Sequence, residues 1–330
     1  MAFGEQSMAN EPRNDDNNTP SPYQPTTSRL SWFSWIFLLA FVALVIAVIR
    51  VSEHPVTTFV KVLSALIPLI LVLALLSHGL SDPAVSKDFL LYQTFLSAVP
   101  LLVVTIIAEG IAVLLAIFIL FAEEISELKE NKSIFDGKLT GEELMKQVRD
   151  TLPMWKLIVM IFIVAFFVAA LCEESAKYYL ALRWKKVPHI RTKGIIEVST
   201  AAGLGLAFSE HFMALSGTSV LLSYVRALLA FPIHCGTAFF IGMQMAELRQ
   251  EGEITARKIL PLPIAVHGTF DVIGLLSALF VGAYPFLDIV TGVVQASIVV
   301  ALMVFLFWRY KRLIANDTGS NEYTIIGDAV

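Results

Sequence analysis

Apolar runs of membrane-crossing length recur along this chain, and no other feature limits its folding as severely. A helix rises ~1.5 Å per residue, so about 20 mostly apolar residues cross a hydrocarbon core ~30 Å thick. About eight stretches qualify, at 32–49, 56–76, 89–121, 156–184, 194–216, 220–248, 258–281 and 284–310. Backbone groups in lipid find partners only within a helix or a closed barrel, and runs this long are helices. The expected fold is all-α, a polytopic transmembrane helix bundle of about eight spans. A soluble domain is excluded by a hydrophobic fraction of 56% against 16% charged residues and a mean hydropathy of +0.72, which make the lipid bilayer the solvent.

The polar stretches divide the chain. Residues 1–30 are Pro-, Asn-, Ser- and Thr-rich without an apolar signal core, and read as a disordered cytoplasmic tail. N-terminal transmembrane helices follow at 31–121, where Pro100 permits either one long helix or a broken pair at 89–121. Residues 122–150 form a charged non-cytoplasmic loop, 151–312 a catalytic helical core and 313–330 a second cytoplasmic tail. Orientation comes from Arg183, Lys185, Lys186, Arg191 and Lys193, the densest short basic loop, which belongs on the cytoplasmic side. Counting onward puts Arg249, Arg257, Lys258, Arg309, Lys311 and Arg312 there too, with both termini inside. The basic residues form no continuous face and the net charge is −4, so nucleic acid is not an expected partner. Cys172 and Cys235 lie inside apolar runs and supply neither a disulfide framework nor a metal knuckle.

An ionised group at the centre of a membrane helix costs about 2.5 to 3.5 kcal/mol, so each needs a partner or a task. The fourth span carries Glu173 and Glu174 followed by Lys177, which stands i,i+4 and i,i+3 from them on the same helix surface. Adjacent carboxylates in low dielectric cannot both ionise cheaply, the condition under which one serves in acid–base chemistry. Glu210 and His211 lie in the fifth span, Arg226 and His234 in the sixth, His267 and Asp271 one turn apart in the seventh. The last spacing suits two ligands of one ion, or a carboxylate that orients an imidazole. Counted from the nearest boundary, His267, Glu173 and His234 sit roughly 14 to 22 Å deep, at one level of the bilayer. Glu109 is a further buried acid without an evident role. By these residues alone, a hydrolase and a proton- or ion-coupled transporter using them as a relay both stand.

The set Glu173-Glu174-x-x-Lys177, Phe208-x-Glu210, His234 and His267-Gly-x-Phe-Asp271 resembles the PrsW family of intramembrane proteases, distantly akin to CAAX prenyl-endopeptidases, over roughly residues 150–310. The chain departs from the pattern at His211, where an Asn is expected. The resemblance implies an intramembrane endopeptidase acting on a membrane-anchored protein; the buried polar residues expected to serve it are Glu173, Glu174, His234, His267 and Asp271 as catalytic residues, with Lys177, Glu210, His211 and Arg226 supporting them. Two mechanisms are compatible with it. In one, Glu173 activates water directly; in the other, Zn²⁺ held by His234, His267 and Asp271 or a glutamate activates it.

Overall fold

The computed structural model describes residues 54–78, 82–128, 150–187, 189–215, 219–252, 254–280 and 285–327, with isolated positions between 36 and 52. The expected tail at 1–30, most of the first span and most of the loop at 122–150 lie outside these residues. Among the described residues the fold is entirely helical. Helix α1 is Pro55–His78; α2, Lys87–Leu96, passes through a π-helical turn at Ser97–Leu101 into α3, Leu102–Leu128. Helix α4, Met154–Phe162, runs through a longer π segment at Ile163–Ala170 into α5, Leu171–Ala181, which closes in a 3₁₀ turn, Leu182–Lys186. Helices α6 (Thr192–Ala214), α7 (Val220–Glu251), the short α8 (Ala256–Ile259), α9 (Pro261–Phe280) and α10 (Pro285–Gly327) follow.

The stretch at 89–121 is one continuous helix. Pro100 has no N–H to give the ladder, and the chain absorbs the loss by slipping into the wider i→i+5 turn rather than breaking. The π segment ahead of α5 has no proline and was not expected. It matters because every residue after an i→i+5 turn points in a different direction from the one a straight α-helix would give it. The last helix also runs past residue 312, where the core was expected to end.

Among the described residues, six helices have the length and hydropathy to cross a membrane: Pro55–Leu76, Lys87–Ala122, Met154–Lys186, Val220–Arg249, Pro261–Phe280 and Ile289–Ala315. The expected span at 194–216 is not among them. Its helix, α6, has 23 residues, ample to cross at ~1.5 Å each, but it carries Glu197, Glu210 and His211 and is buried along nearly its whole length. Helix α6 is the axis of the bundle: α1, α2, α5 and α7 pack around it, so protein rather than lipid surrounds its polar side chains. Gly203 and Gly205 permit that closeness, since a Cβ at either would strike backbone atoms, of His234 in α7 and Thr94 in α2 respectively.

Contacts at the two ends agree with alternating helix directions. At the end with the basic loops, the Arg191 amide donates to Asp82 Oδ2 at 2.7 Å and Arg249 Nη1 donates to the Ile190 carbonyl at 2.6 Å. At the other, Lys156 Nζ donates to Glu124 Oε1 at 2.6 Å and Lys61 Nζ to the Leu215 carbonyl at 3.2 Å.

Candidate active site

Four helices bring their polar side chains to one place in mid-bundle. Helix α5 supplies Glu173, Glu174 and Lys177, α7 supplies His234 and Thr237, α9 supplies His267 and Asp271, and α6 supplies Glu210. Glu174 and Lys177 are 0% exposed, Thr237 1%, His267 2%, His234 5% and Glu173 6%. At this burial an uncompensated charge is prohibitive, so the donors and acceptors must be accounted for one by one.

Glu174 collects its donors on one oxygen, and its Oε2 is buried without a partner. Its Oε1 accepts from Lys177 Nζ at 2.6 Å, from His267 Nδ1 at 2.7 Å and from Thr237 Oγ1 at 3.0 Å. These bonds come from three helices and are charge-assisted, the strong kind. Lys177 Nζ reaches two further acceptors, His234 Nδ1 at 3.2 Å and Thr237 Oγ1 at 3.3 Å. An ammonium only donates, so His234 Nδ1 accepts and the ring proton sits on Nε2, 3.0 Å from Glu210 Oε2.

Glu173 is not saturated either. Its Oε2 is buried with no hydrogen-bond partner, 3.4 Å from His234 Nδ1 and 3.7 Å from His267 Nε2. The two imidazoles stand nearly perpendicular, at 84° with ring centroids 4.8 Å apart. Asp271 Oδ2 lies 3.3 Å from His267 Nε2. The two neighbouring carboxylates of the motif thus differ: Glu174 Oε1 is held by three donors, whereas Glu173 Oε2 stands between two imidazoles.

That position suits a cation. Ligand atoms of Glu173, His234 and His267 all lie within 4.8 Å of one another, and two imidazoles with one carboxylate are the donor set of many hydrolytic zinc sites. Glu174 on His267 Nδ1 stands where an outer carboxylate would fix a ligating imidazole, with the Nε2 lone pair forward. Charge argues the same way, because the carboxylates gathered here outnumber Lys177. Glu109 on α3 adds another, within electrostatic reach of Glu210, Asp271 and His267, with its Oε1 buried and unpartnered.

The structure brings Glu173, Glu174, Lys177, Glu210, His234, His267 and Asp271 together. It does not bring His211, expected to support them. His211 Nε2 lies 2.8 Å from Ser64 Oγ on α1, with its ring edge-on to Phe231. Consecutive helical residues point about 100° apart, so Glu210 and His211 cannot both face the cluster. Arg226, also expected to support it, is exposed on α7 about two turns before His234 but within electrostatic reach of Asp271. Thr237 was missed, although its place one turn after His234 on the same helix face was there to be read.

A family model described as PrsW family intramembrane metalloprotease matches residues 98–308. No curated protein and no solved structure matches the chain.

Proposed function

This chain belongs to the PrsW family of intramembrane metalloproteases, and from that premise we propose that it hydrolyses a peptide bond of a membrane-anchored protein at the Glu173, His234 and His267 cluster. One observation carries the assignment: Glu173 Oε2, buried without a hydrogen-bond partner as Glu174 Oε2 also is, is the one set between two imidazole rings. Such a group costs stability where it stands and is retained for the reaction. Multi-pass insertion in the bilayer follows from the six apolar helices.

In the proposed reaction Glu173 takes a proton from a water, whose oxygen bonds to the scissile carbonyl carbon. The C–N bond then breaks, and Glu173 returns the proton to the leaving nitrogen. Glu210 holds the Nε2–H of His234, and Glu174 and Asp271 flank His267, so both rings keep one orientation while charge develops on the carbonyl oxygen. In the alternative metal mechanism, Glu173, His267 and His234, the last through the Nδ1 that otherwise accepts from Lys177, would hold a Zn²⁺ ion. Bound there, it would lower the pKa of a coordinated water to about 7. Asp271, expected as a ligand, serves in this reading as the group that faces His267. A relay for ion transport would use the same residues, but the family match favours hydrolysis.

The test is cleavage of single-span membrane peptides by the protein in proteoliposomes, compared with Glu173→Gln and His267→Ala. Cleavage that survives both substitutions would remove the site assignment. Loss of cleavage on chelation, restored by Zn²⁺, would select the metal mechanism, and chelation without effect would select direct activation of water by Glu173.

A further inference from the structure

We propose that Thr237 is a positioning residue of this hydrolytic site, a role that rests on the function proposed above. The observation is a choice made by one proton. A threonine inside a helix normally donates to a carbonyl of the preceding turn. Thr94, Thr105, Thr200 and Thr269 all do so, to Leu90, Leu101, Ile196 and Ala265, at 2.9, 2.8, 2.7 and 2.7 Å. Thr237 has the same option, with the His234 carbonyl at 3.2 Å. It also has Glu174 Oε1 at 3.0 Å, while Lys177 Nζ donates into its oxygen from 3.3 Å.

A hydrogen bond to an ionised acceptor is about twice as strong as one between neutral groups, so the Thr237 proton goes to Glu174. The hydroxyl then closes a ring of Lys177, Thr237 and Glu174 that joins α5 to α7. Glu174 in turn holds His267 Nδ1, and Lys177 holds His234 Nδ1. Both imidazoles of the cluster therefore take their orientation from a network in which Thr237 is the member from α7 that bonds both Glu174 and Lys177. Removing the hydroxyl takes one of three donors from Glu174 Oε1 and one of three acceptors from Lys177, and His267 and His234 lose their common reference.

Thr237→Val keeps the shape and removes the hydroxyl; Thr237→Ser keeps the hydroxyl and removes a methyl. A packing role and a positioning role rank these variants in opposite order. In proteoliposomes, with a single-span peptide cleaved by the wild type, Thr237→Val lowers kcat about 10- to 100-fold with little change in KM, the usual effect of losing an outer-shell partner. Thr237→Ser recovers most of that loss. In ¹⁵N-histidine NMR of the same proteins, the ring signals of His234 and His267 shift in Thr237→Val and return in Thr237→Ser. A valine variant with wild-type kcat and unchanged ring signals, or a serine variant more impaired than the valine one, overturns the proposal. If the wild type cleaves nothing, or Glu173→Gln cleaves as well as the wild type, the proposed function fails instead, and the NMR comparison still decides whether Thr237 orients the rings.

Discussion

Two pairs of buried acids lie at different depths of this bundle and are held in opposite ways. At the end with the basic loops, Asp82 and Glu197 are 3% and 1% exposed, and backbone amides hold them. Arg191 N and Ala84 N donate to Asp82 at 2.7 and 2.9 Å, and Asp82 N donates to Glu197 Oε2 at 3.1 Å. In mid-bundle, Glu173 and Glu174 are as deeply buried, yet the donors around them are side chains, and one oxygen of each has none. A backbone amide neither titrates nor swings away, so the first pair ties the Asp82 turn to the start of α6. Ammonium, imidazole and hydroxyl groups exchange protons and partners, so the second pair can do chemistry. Burial alone does not separate a structural acid from a reactive one; the kind of donor does.

The largest effect is expected at Glu173. Glu173→Gln should cut cleavage about 10²- to 10⁴-fold, the range for a general base, with the thermal unfolding of the detergent-solubilised protein nearly unchanged. Lys177→Met comes next. It strands Glu174 without its ammonium, which should cost about 3 to 5 kcal/mol in denaturant unfolding and abolish cleavage as well. Asp82→Asn tests the other pair: removing the charge that two backbone amides bind should cost about 1 to 3 kcal/mol, with kcat per folded molecule unaltered. Should Asp82→Asn reduce kcat as far as Glu173→Gln does, the contrast between the pairs collapses.

The smallest effect belongs to the ion pair at the opposite end. Lys156 donates to Glu124 and holds its carboxyl below the ordinary 4.5. A carboxyl depressed on folding contributes stability above its unfolded pKa and loses it as pH falls through the lowered value. Wild type and Glu124→Gln should therefore differ slightly in melting temperature at neutral pH and converge in acid below the usual glutamate range. A difference that grows in acid would contradict the pairing.

Much of the site was legible in the residues, because Glu173, Glu174, Lys177, His234, His267 and Asp271 each stand out as a costly group in an apolar helix. What they do to one another was not. The i,i+3 and i,i+4 spacings allowed Lys177 to pair with either glutamate, and the choice of Glu174 depends on Thr237 and His267 arriving from α7 and α9. His211 looked equivalent to its neighbour Glu210, but Ser64 of α1 claims it. Thr237 carries no charge and drew no notice, since a buried threonine is unremarkable until its acceptor is known.

What the chain determines by itself is its class and level: apolar runs matched to bilayer thickness dictate helices, and distance from the basic loops sets the depth of each polar group. Both are local properties, readable one segment at a time. Which way each side chain faces was decided only by the tertiary structure. The π segment ahead of α5 turns the glutamates, and α6 at the centre of the bundle sets how closely its neighbours approach, so direction depends on every helix packed around the site.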